Sequence, residues 1–297
     1  MKKIIALLLT AIMAVGLLAA CGSTSNETTA ATEANAETTA AASLEGAQFG
    51  IPNDPTNEAR ALELLQKEGL ITLKNTGDVE ATVRDVEENP YGIEFVEIEA
   101  AQLPQQLASL DYAVINSNYA IDAGLTPFLT EGTDVAYPNV IVVAEENKDA
   151  DLTKALVAAA NSKKVEDFIN EEYAGAVVSD LVDPTEDGKD STVDYTALQG
   201  QKITVAASPA PHADILKVVK EVLEENGIEL EIIEYNDYVQ PNMVVENGEV
   251  YANYFQHQPY LDNFNAENNT HLVSVLSVHH EPMGIYSDKY DSLDPIK

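Results

Sequence analysis

An arginine lies close to the start of a predicted helix in residues 52–60 (PNDPTNEAR). An apolar run at 46–51 predicts a strand before this segment, and apolar residues at helical spacing in 58–68 predict a helix after it. Arg60 then falls in the first helical turn, where a basic side chain is unfavourable for the helix dipole. A helix N-terminus also binds carboxylates. We therefore interpret Arg60 as a residue whose guanidinium binds a ligand carboxylate through two parallel hydrogen bonds. A surface ion pair with Glu58 explains the same residue types equally well.

Aromatic, imidazole and amide side chains are crowded in residues 253–261 (NYFQHQPYL), at the end of a predicted strand at 250–254. In an open α/β sheet, ligands bind beyond the carboxyl ends of the strands. Phe255, His257 and Tyr260 are therefore candidates for a ligand pocket. The edge of a hydrophobic core with one hydrogen-bonded histidine has the same composition, so this segment alone does not decide between the two.

Two asparagines stand at strand ends in a similar way. Asn116 follows a predicted strand at 112–115, and Asn139 precedes one at 140–144. An asparagine side chain offers both a donor and an acceptor, as the two charged ends of an amino acid require. Each residue could instead cap a turn.

The histidines do not predict a metal site. His279 and His280 are adjacent and precede Glu281, but neighbouring residues on a strand point to opposite faces. His212 and His271 are isolated in the sequence. The sequence contains no HExxH motif, phosphate-binding loop, GxGxxG motif or GxSxG motif. We therefore expect no metal, no cofactor and no enzymatic activity.

The first residues have the features of a lipoprotein signal. Two lysines precede an apolar run at 4–18, and residues 18–21 (LAAC) place small residues before a cysteine. We predict a signal peptide at 1–20, a lipid on Cys21 and a flexible tether at 21–45, which lacks apolar periodicity. A transmembrane anchor is the alternative, although the apolar run is short for one. A lipid on Cys21 would hold the protein at the cell membrane, on the extracytoplasmic face.

Composition limits the partners and the fold. The 297 residues contain 16 Lys and Arg against 50 Asp and Glu, a formal net charge of −34, which argues against the basic face that nucleic acid requires. The single cysteine excludes an internal disulfide. Strand patterns alternate with helical patterns in 46–178 and again in 201–297, and the acidic stretch 182–194 between them predicts a linker. The alternation predicts two α/β lobes that face each other across a ligand cleft, a type II periplasmic-binding-protein-like fold.

Two segments resemble the methionine-binding lipoprotein family, the solute receptors of methionine importers. They are residues 49–70 (FGIPNDPTNEARALELLQKEGL) and 235–261 (YNDYVQPNMVVENGEVYANYFQHQPYL). In that family the second block comes first, so the chain resembles a circularly permuted member. The family's old chain ends would be joined through 182–194, and the new cut would fall near residue 46. We expect this cut to lie near a crossing between the lobes, so that only the crossing at 137–139 stays covalently continuous.

The resemblance implies a division of the chain and a set of site residues. Residues 46–138 would form the family's second lobe, and residues 139–297 its first. Seven residues match the family's pocket: Arg60, Asn116, Asn139, Tyr238, Phe255, His257 and Tyr260. The arginine would hold the amino-acid carboxylate, the asparagines the polar ends of the ligand, and the other four the thioether side chain.

The function that the resemblance implies is a receptor for L- or D-methionine. Such a receptor closes its lobes on the ligand and delivers it to an ABC permease and its ATPase. The alternatives are the same fold with another amino acid or a methionyl dipeptide, and a surface or adhesin lipoprotein that does not transport.

Overall fold

Two mixed β-sheets, each covered by helices, divide the protein into two α/β lobes. The computed structural model describes residues 44–132 and 137–297. The predicted signal peptide, Cys21 and all but the last two residues of the predicted tether lie outside the described residues. Each lobe buries its own hydrophobic clusters, as the alternating patterns predict.

The first lobe is built on a five-stranded sheet. Its strands are β1 (Gln48–Pro52), β4 (Glu94–Ile98), β5 (Tyr112–Ile115), β6 (Leu129–Thr130) and β13 (Gly284–Tyr286). The order across the sheet is β4-β1-β5-β13-β6; β1 is parallel to β4 and β5, and β13 is antiparallel to β5 and β6. The helices of this lobe are α1 (Pro55–Lys67), α2 (Leu103–Gln106) and α3 (Ser117–Asp122). A separate two-stranded sheet consists of β2 (Thr72–Leu73) and β3 (Val86–Glu88).

The second lobe is built on a six-stranded sheet. Its strands are β7 (Pro138–Ala144), β8 (Val178–Ser179), β9 (Lys202–Ala207), β10 (Glu229–Glu234), β11 (Ala252–His257) and β12 (Leu272–His280). The order is β10-β9-β11-β7-β12-β8, parallel from β10 to β11 and antiparallel in the remaining pairs. Its helices are α4 (Asp151–Ala160), α5 (Lys163–Tyr173), α6 (Asp214–Glu225), α7 (Gln240–Glu246) and α8 (Gln258–Asn268).

The chain passes between the two sheets twice. One passage lies between β6 and β7, and the other between β12 and β13. The expected boundary at 138/139 therefore misplaces β13, which pairs with β5 through Gly284 and Ile115. The sequence does not show this change of sheet, because only three residues, 281–283, separate the two strands. We define the first lobe as residues 44–132 and 284–297, and the second lobe as 137–280.

The segment 182–194 packs against the second lobe instead of forming a loose linker. Thr185 accepts from the Lys163 N–H at 2.8 Å and donates to the Asn161 oxygen at 3.0 Å. Gly188 has a φ of 58°, and a Cβ at this position would lie 2.4 Å from Val222. Val193 is buried in the core of the lobe. The polar composition of residues 182–194 does not reveal this packing, because a few small and apolar residues are enough to hold the segment against the lobe.

Candidate functional site

A cavity is lined by residues of both lobes. The first lobe contributes side chains from α1 and from the junction of β5 with α3, and the second contributes side chains from β7, β11 and α8. The lining includes all seven residues that the sequence indicates: Arg60, Asn116, Asn139, Tyr238, Phe255, His257 and Tyr260. The fold thus brings together residues that lie far apart in the chain.

Arg60 lies in the second turn of α1, because the helix begins at Pro55 and not near residue 58. Asp54 caps the helix by accepting a backbone N–H of the first turn at 3.1 Å, and proline fits the first position because no helical bond needs its N–H. The expected conflict with the dipole in the first turn therefore does not apply. The alternative partner Glu58 also lies elsewhere, since its carboxylate accepts from the Val83 N–H at 2.8 Å.

The guanidinium of Arg60 is buried and fixed by protein groups. Its Nε lies 3.0 and 3.2 Å from the two carboxylate oxygens of Glu131, and Nη2 contacts the same carboxylate. Nη2 also donates to the backbone oxygen of Glu281 at 2.6 Å, and the guanidinium carbon lies 4.2 Å from the ring centroid of Tyr137. A buried charge is costly unless it is paired, and Glu131 offsets that cost. An anionic ligand would meet a guanidinium whose orientation is already set.

Asn57 connects residues of both lobes at the cavity wall. Its side-chain nitrogen donates to Asp54 at 2.8 Å, so its oxygen faces the other way. That oxygen lies 2.8 Å from Nδ2 of Asn116 and 3.0 Å from Nε2 of His257. Nδ1 of His257 accepts the Tyr260 N–H at 3.1 Å, which leaves the proton on Nε2. Burial and the nearby guanidinium lower the pKa of His257 far below its usual range, so the ring is neutral.

Asn116 has a free acceptor at the cavity. Its Oδ1 is buried and makes no hydrogen bond within the described part of the chain. A buried acceptor left without a donor costs about 1–3 kcal/mol. A ligand with an N–H group would remove this cost.

Four aromatic rings form an apolar wall at one end of the cavity. Tyr238 lies 5.8 Å from Phe255 and 5.6 Å from Tyr260 between ring centroids, and Phe264 packs behind Tyr260 at 6.1 Å. The Tyr238 hydroxyl donates to Oδ1 of Asn118 at 2.7 Å, which ties this wall to the first lobe. Such rings suit a thioether, because sulfur contacts aromatic edges favourably.

Asn139 reaches the cavity from β7, and its side-chain oxygen already has a partner. Nε2 of His212 lies 3.0 Å from this oxygen. Burial lowers the pKa of His212 to about 3, so its ring is neutral and can donate a proton from Nε2 to the amide. A ligand acceptor would therefore meet the amide nitrogen of Asn139.

Three groups beside the cavity are arranged so that they could hold a cation. The ligand atoms of His212, His279 and Glu281 all lie within 4.8 Å of one another, and all three residues are buried. The sequence analysis expected no metal here, because spacing alone could not bring His212 to His279. The adjacent His280 lies apart from the group, with Nδ1 2.8 Å from Asp180. Nε2 of His279 is 2.8 Å from a carboxylate oxygen of Glu281, so two of the three groups are already joined by a hydrogen bond.

Five lining residues were missed by the sequence analysis: Asn57, Ser117, Asn118, Gln256 and Glu281. The first of them precedes Arg60 by three positions on α1, so helical spacing could have placed both on one face. Ser117 and Asn118 directly follow Asn116, and Gln256 lies between two predicted residues. Glu281 was considered only as a metal ligand beside His279 and His280, and no local pattern indicated that it lies in the short passage between the lobes.

Most of the chain matches one family of lipoproteins. A sequence profile described as NlpA lipoprotein matches residues 35–181 and 203–297. The chain belongs to the NlpA lipoprotein family.

Several NlpA-family relatives carry names that refer to methionine. The D-methionine-binding lipoprotein MetQ of Escherichia coli O157:H7 is 46% identical over 140 residues, which are 45% of this chain and 52% of that protein. Outer membrane lipoprotein 3 of Mannheimia haemolytica is 41% identical over 138 residues, or 45% of this chain and 52% of the relative. The chain spans about half the length of the curated relatives that it matches.

The solved structures to which the chain is similar include a nutrient binding protein from Burkholderia cenocepacia bound to methionine. It is 43% identical, with a TM-score of 0.43 over 46% of this chain and 61% of that chain. The methionine binding protein MetQ is also 43% identical, with a TM-score of 0.45 over 48% of this chain and 62% of the other. In residues 44–132 and 137–297, no helix is both long and apolar enough to cross a membrane.

Proposed function

We propose that this protein is the substrate-binding lipoprotein of an ABC importer and that it binds methionine between its lobes. The observation that carries the proposal is the cavity, which combines a fixed guanidinium, a free amide acceptor and an aromatic wall from two lobes. The names of the relatives add support, because five of the curated relatives are named D-methionine-binding lipoprotein MetQ. We propose a binding role and not a catalytic one.

The polar end of the cavity fits the zwitterionic end of an amino acid. Arg60 would bind the ligand carboxylate, and Oδ1 of Asn116 would accept from the ligand ammonium. Asn139 would add a neutral amide donor. A charge-assisted bond is about twice as strong as a neutral one, so Arg60 should contribute more than either asparagine.

The aromatic end fits the thioether of methionine. Tyr238, Phe255 and Tyr260 line the cavity together, and the neutral ring of His257 closes the space between them and Asn57. Sulfur–aromatic contacts contribute about 0.3–1.5 kcal/mol each. A polar side chain of the same length would lose these contacts and leave its own groups unpaired.

We also propose that the chain is a circular permutation of the family order. Each cited relative aligns with less than half of this chain, as expected when a linear alignment can follow only one of two exchanged blocks. Within the described residues, the Leu44 N–H donates to the Pro295 oxygen at 2.7 Å. The two segments on either side of the proposed cut therefore lie next to each other in space. Permutation is tolerated where chain ends lie close together.

The proposed location is the extracytoplasmic face of the cell membrane, where a lipid on Cys21 would hold the protein. Its proposed partners are the permease and the ATPase of the importer. Two alternatives differ in what they bind: the same fold with another amino acid or a methionyl dipeptide, and a surface or adhesin lipoprotein without a transported ligand.

The test is calorimetry of the purified protein with L-methionine, D-methionine, leucine and methionyl dipeptides, together with mass spectrometry of any ligand that co-purifies. Saturable binding of free methionine in preference to leucine supports the proposal. Preference for a dipeptide would replace the ligand but keep the receptor. A protein that purifies empty and binds none of these compounds would refute the proposed function.

A further inference from the structure

Glu281 places a buried carboxylate at the cavity, at the passage between the two lobes. The residue is 5% exposed, and it lines the cavity. Its Oε1 lies 2.8 Å from Nε2 of His279 and 3.5 Å from Nε2 of His212. The backbone N–H of Asn118 also donates to this carboxylate. Donors from both lobes therefore hold it in place.

The protons around Glu281 can be assigned from these contacts. A carboxylate only accepts, so Nε2 of His279 carries the proton that joins the two groups. Nδ1 of His279 must then accept, and its partner is the hydroxyl of Tyr254. The hydrogen bond from His279 holds the carboxylate in place, and the carboxylate can accept further N–H bonds.

Within residues 44–132 and 137–297, no Lys or Arg side chain forms an ion pair with the Glu281 carboxylate, although the charge of Arg60 opposes the rise in its pKa that desolvation causes. Arg60 is the single Lys or Arg side chain among the described lining residues, and its Nε and Nη2 atoms are bound to the carboxylate of Glu131. Burial lowers the pKa of both His212 and His279 to about 3, so neither ring supplies a positive charge. Desolvation raises the pKa of Glu281 itself. An added cation would relieve this cost.

Glu281 and Arg60 are direct neighbours. Nη2 of Arg60 donates to the backbone oxygen of Glu281 at 2.6 Å. Both residues line the cavity, which is therefore bordered by one anionic and one cationic residue at neighbouring positions. An α-amino acid has the matching pair of charges on one carbon atom, whereas a dipeptide has them on different residues.

We propose that Glu281 binds the α-ammonium group of the ligand, that His279 positions its carboxylate, and that the charges of Glu281 and Arg60 restrict the site to free α-amino acids. The proposal rests on the proposed function, since it assigns a residue and a ligand class to the same cavity.

The test compares ligands with and without the ammonium group on the unaltered protein. Calorimetry is run with L-methionine, N-methyl-L-methionine, which keeps the charge, and N-acetyl-L-methionine and 4-(methylsulfanyl)butanoate, which lack it. Breaking a buried charge pair costs about 2 kcal/mol or more, or about thirty-fold in affinity. We expect N-acetyl-L-methionine and 4-(methylsulfanyl)butanoate to bind at least about thirty-fold more weakly than methionine. If 4-(methylsulfanyl)butanoate binds as tightly as methionine, the proposal is overturned without any variant.

A variant then assigns the effect to Glu281. In Glu281→Gln, the affinity ratio of methionine to 4-(methylsulfanyl)butanoate should fall from about thirty or more toward one, because the substitution removes the charge but keeps the size. A ratio equal to that of the unaltered protein would overturn the assignment. Glu246→Gln serves as the control, since Glu246 pairs with the exposed His271 outside the cavity, and it should keep the full ratio.

The pH dependence of methionine binding separates a charge role from a structural one. Binding needs the ionised carboxylate, so affinity should fall as the pH falls through the raised pKa of Glu281. Glu281→Gln should lose this dependence. Identical pH profiles for both proteins would overturn the proposal, whereas failure of the unaltered protein to bind methionine at any pH would instead refute the proposed function.

Discussion

His257 and Asn57 join the two lobes across the cavity, with Nε2 of the imidazole 3.0 Å from Oδ1 of the amide. The same oxygen accepts from Asn116 at 2.8 Å. Asp54 fixes the amide by accepting from its nitrogen. One buried asparagine therefore sets the orientation of a site residue in each lobe.

We expect Asn57→Ala to weaken methionine binding, although Asn57 was not among the residues that the sequence indicated. The substitution leaves two buried donors, on His257 and Asn116, without their acceptor, at a cost of about 1–3 kcal/mol. Calorimetry measures the loss. Asn226→Ala is the matched control, because Asn226 is also buried but bonds to the Val222 oxygen away from the cavity. The control should lower stability and keep affinity; equal affinity in both variants would show that Asn57 does not position the site.

Arg60 is expected to serve binding and stability through different partners. Arg60→Ala should reduce methionine affinity about thirty-fold or more. It also leaves Glu131 buried without a counter-charge, which should lower the free energy of unfolding by about 3–5 kcal/mol. Calorimetry and urea unfolding measure the two effects.

The double variant Arg60→Met, Glu131→Leu separates these effects. Replacing a buried ion pair with apolar residues of similar size is often neutral for stability. We expect the double variant to recover stability and to remain deficient in binding. Recovery of methionine binding together with stability would mean that Arg60 acts only as a structural residue.

Local patterns in the sequence predicted the two α/β lobes, and the family resemblance implied seven of the twelve described residues that line the cavity. The alternation of strands and helices showed the α/β layers, and polar residues at strand ends showed Asn116 and His257. The sequence could not show β13 in the first sheet or the packing of Val193, since these depend on contacts between distant segments. Glu281 was missed for the same reason. The first-turn argument for Arg60 was wrong, although the residue does line the cavity.

We expect the protein to lose stability as the pH falls from about 7 toward 5.5. The pKa of His212 and His279 is about 3 in the folded protein, against about 6.5 in an unfolded chain. Between these values the unfolded state binds protons that the folded state does not, so acid favours unfolding. Each such histidine lowers the free energy of unfolding by up to about 1.4 kcal/mol for each pH unit of acidification. Urea unfolding at several pH values measures the slope.

Single substitutions assign this slope to the buried rings. His212→Gln should reduce the slope by the contribution of about one proton, which is up to about 1.4 kcal/mol per pH unit. His271→Gln is the control, because His271 is exposed and the carboxylate of Glu246 raises its pKa, which gives a contribution of the opposite sign. Equal slopes in the unaltered protein and His212→Gln would contradict the assignment.

Cys21 is expected to become the lipid-modified first residue after removal of residues 1–20. Cys21→Ser should move the protein from the membrane fraction to the soluble fraction or leave the signal peptide attached. Fractionation and mass spectrometry of the first residue distinguish these results. A Cys21→Ser protein that is cleaved normally and stays in the membrane fraction would rule out the lipid anchor.

The permutation is expected to leave methionine affinity unchanged, contrary to the expectation from the sequence order that only one crossing between the lobes stays continuous. That expectation assumed that the cut removes a crossing between lobes. Leu44 and Pro295 instead meet within the first lobe, where Leu293 is buried in the same core. Both passages between the lobes, after β6 and after β12, remain continuous. The covalent restraint on lobe closure is therefore the same in either chain order.

The experiment compares this chain with one in which Lys297 is joined to Gly46 and the chain is opened at Val182. Val182 is 74% exposed, so opening there keeps the packed residues Thr185 and Val193 attached to the second lobe. We expect the two proteins to bind methionine within about two-fold of each other, and both to be monomers by light scattering. A difference of tenfold or more in favour of the re-joined chain would show that the cut does loosen closure, through contacts of the first lobe and not through a missing crossing.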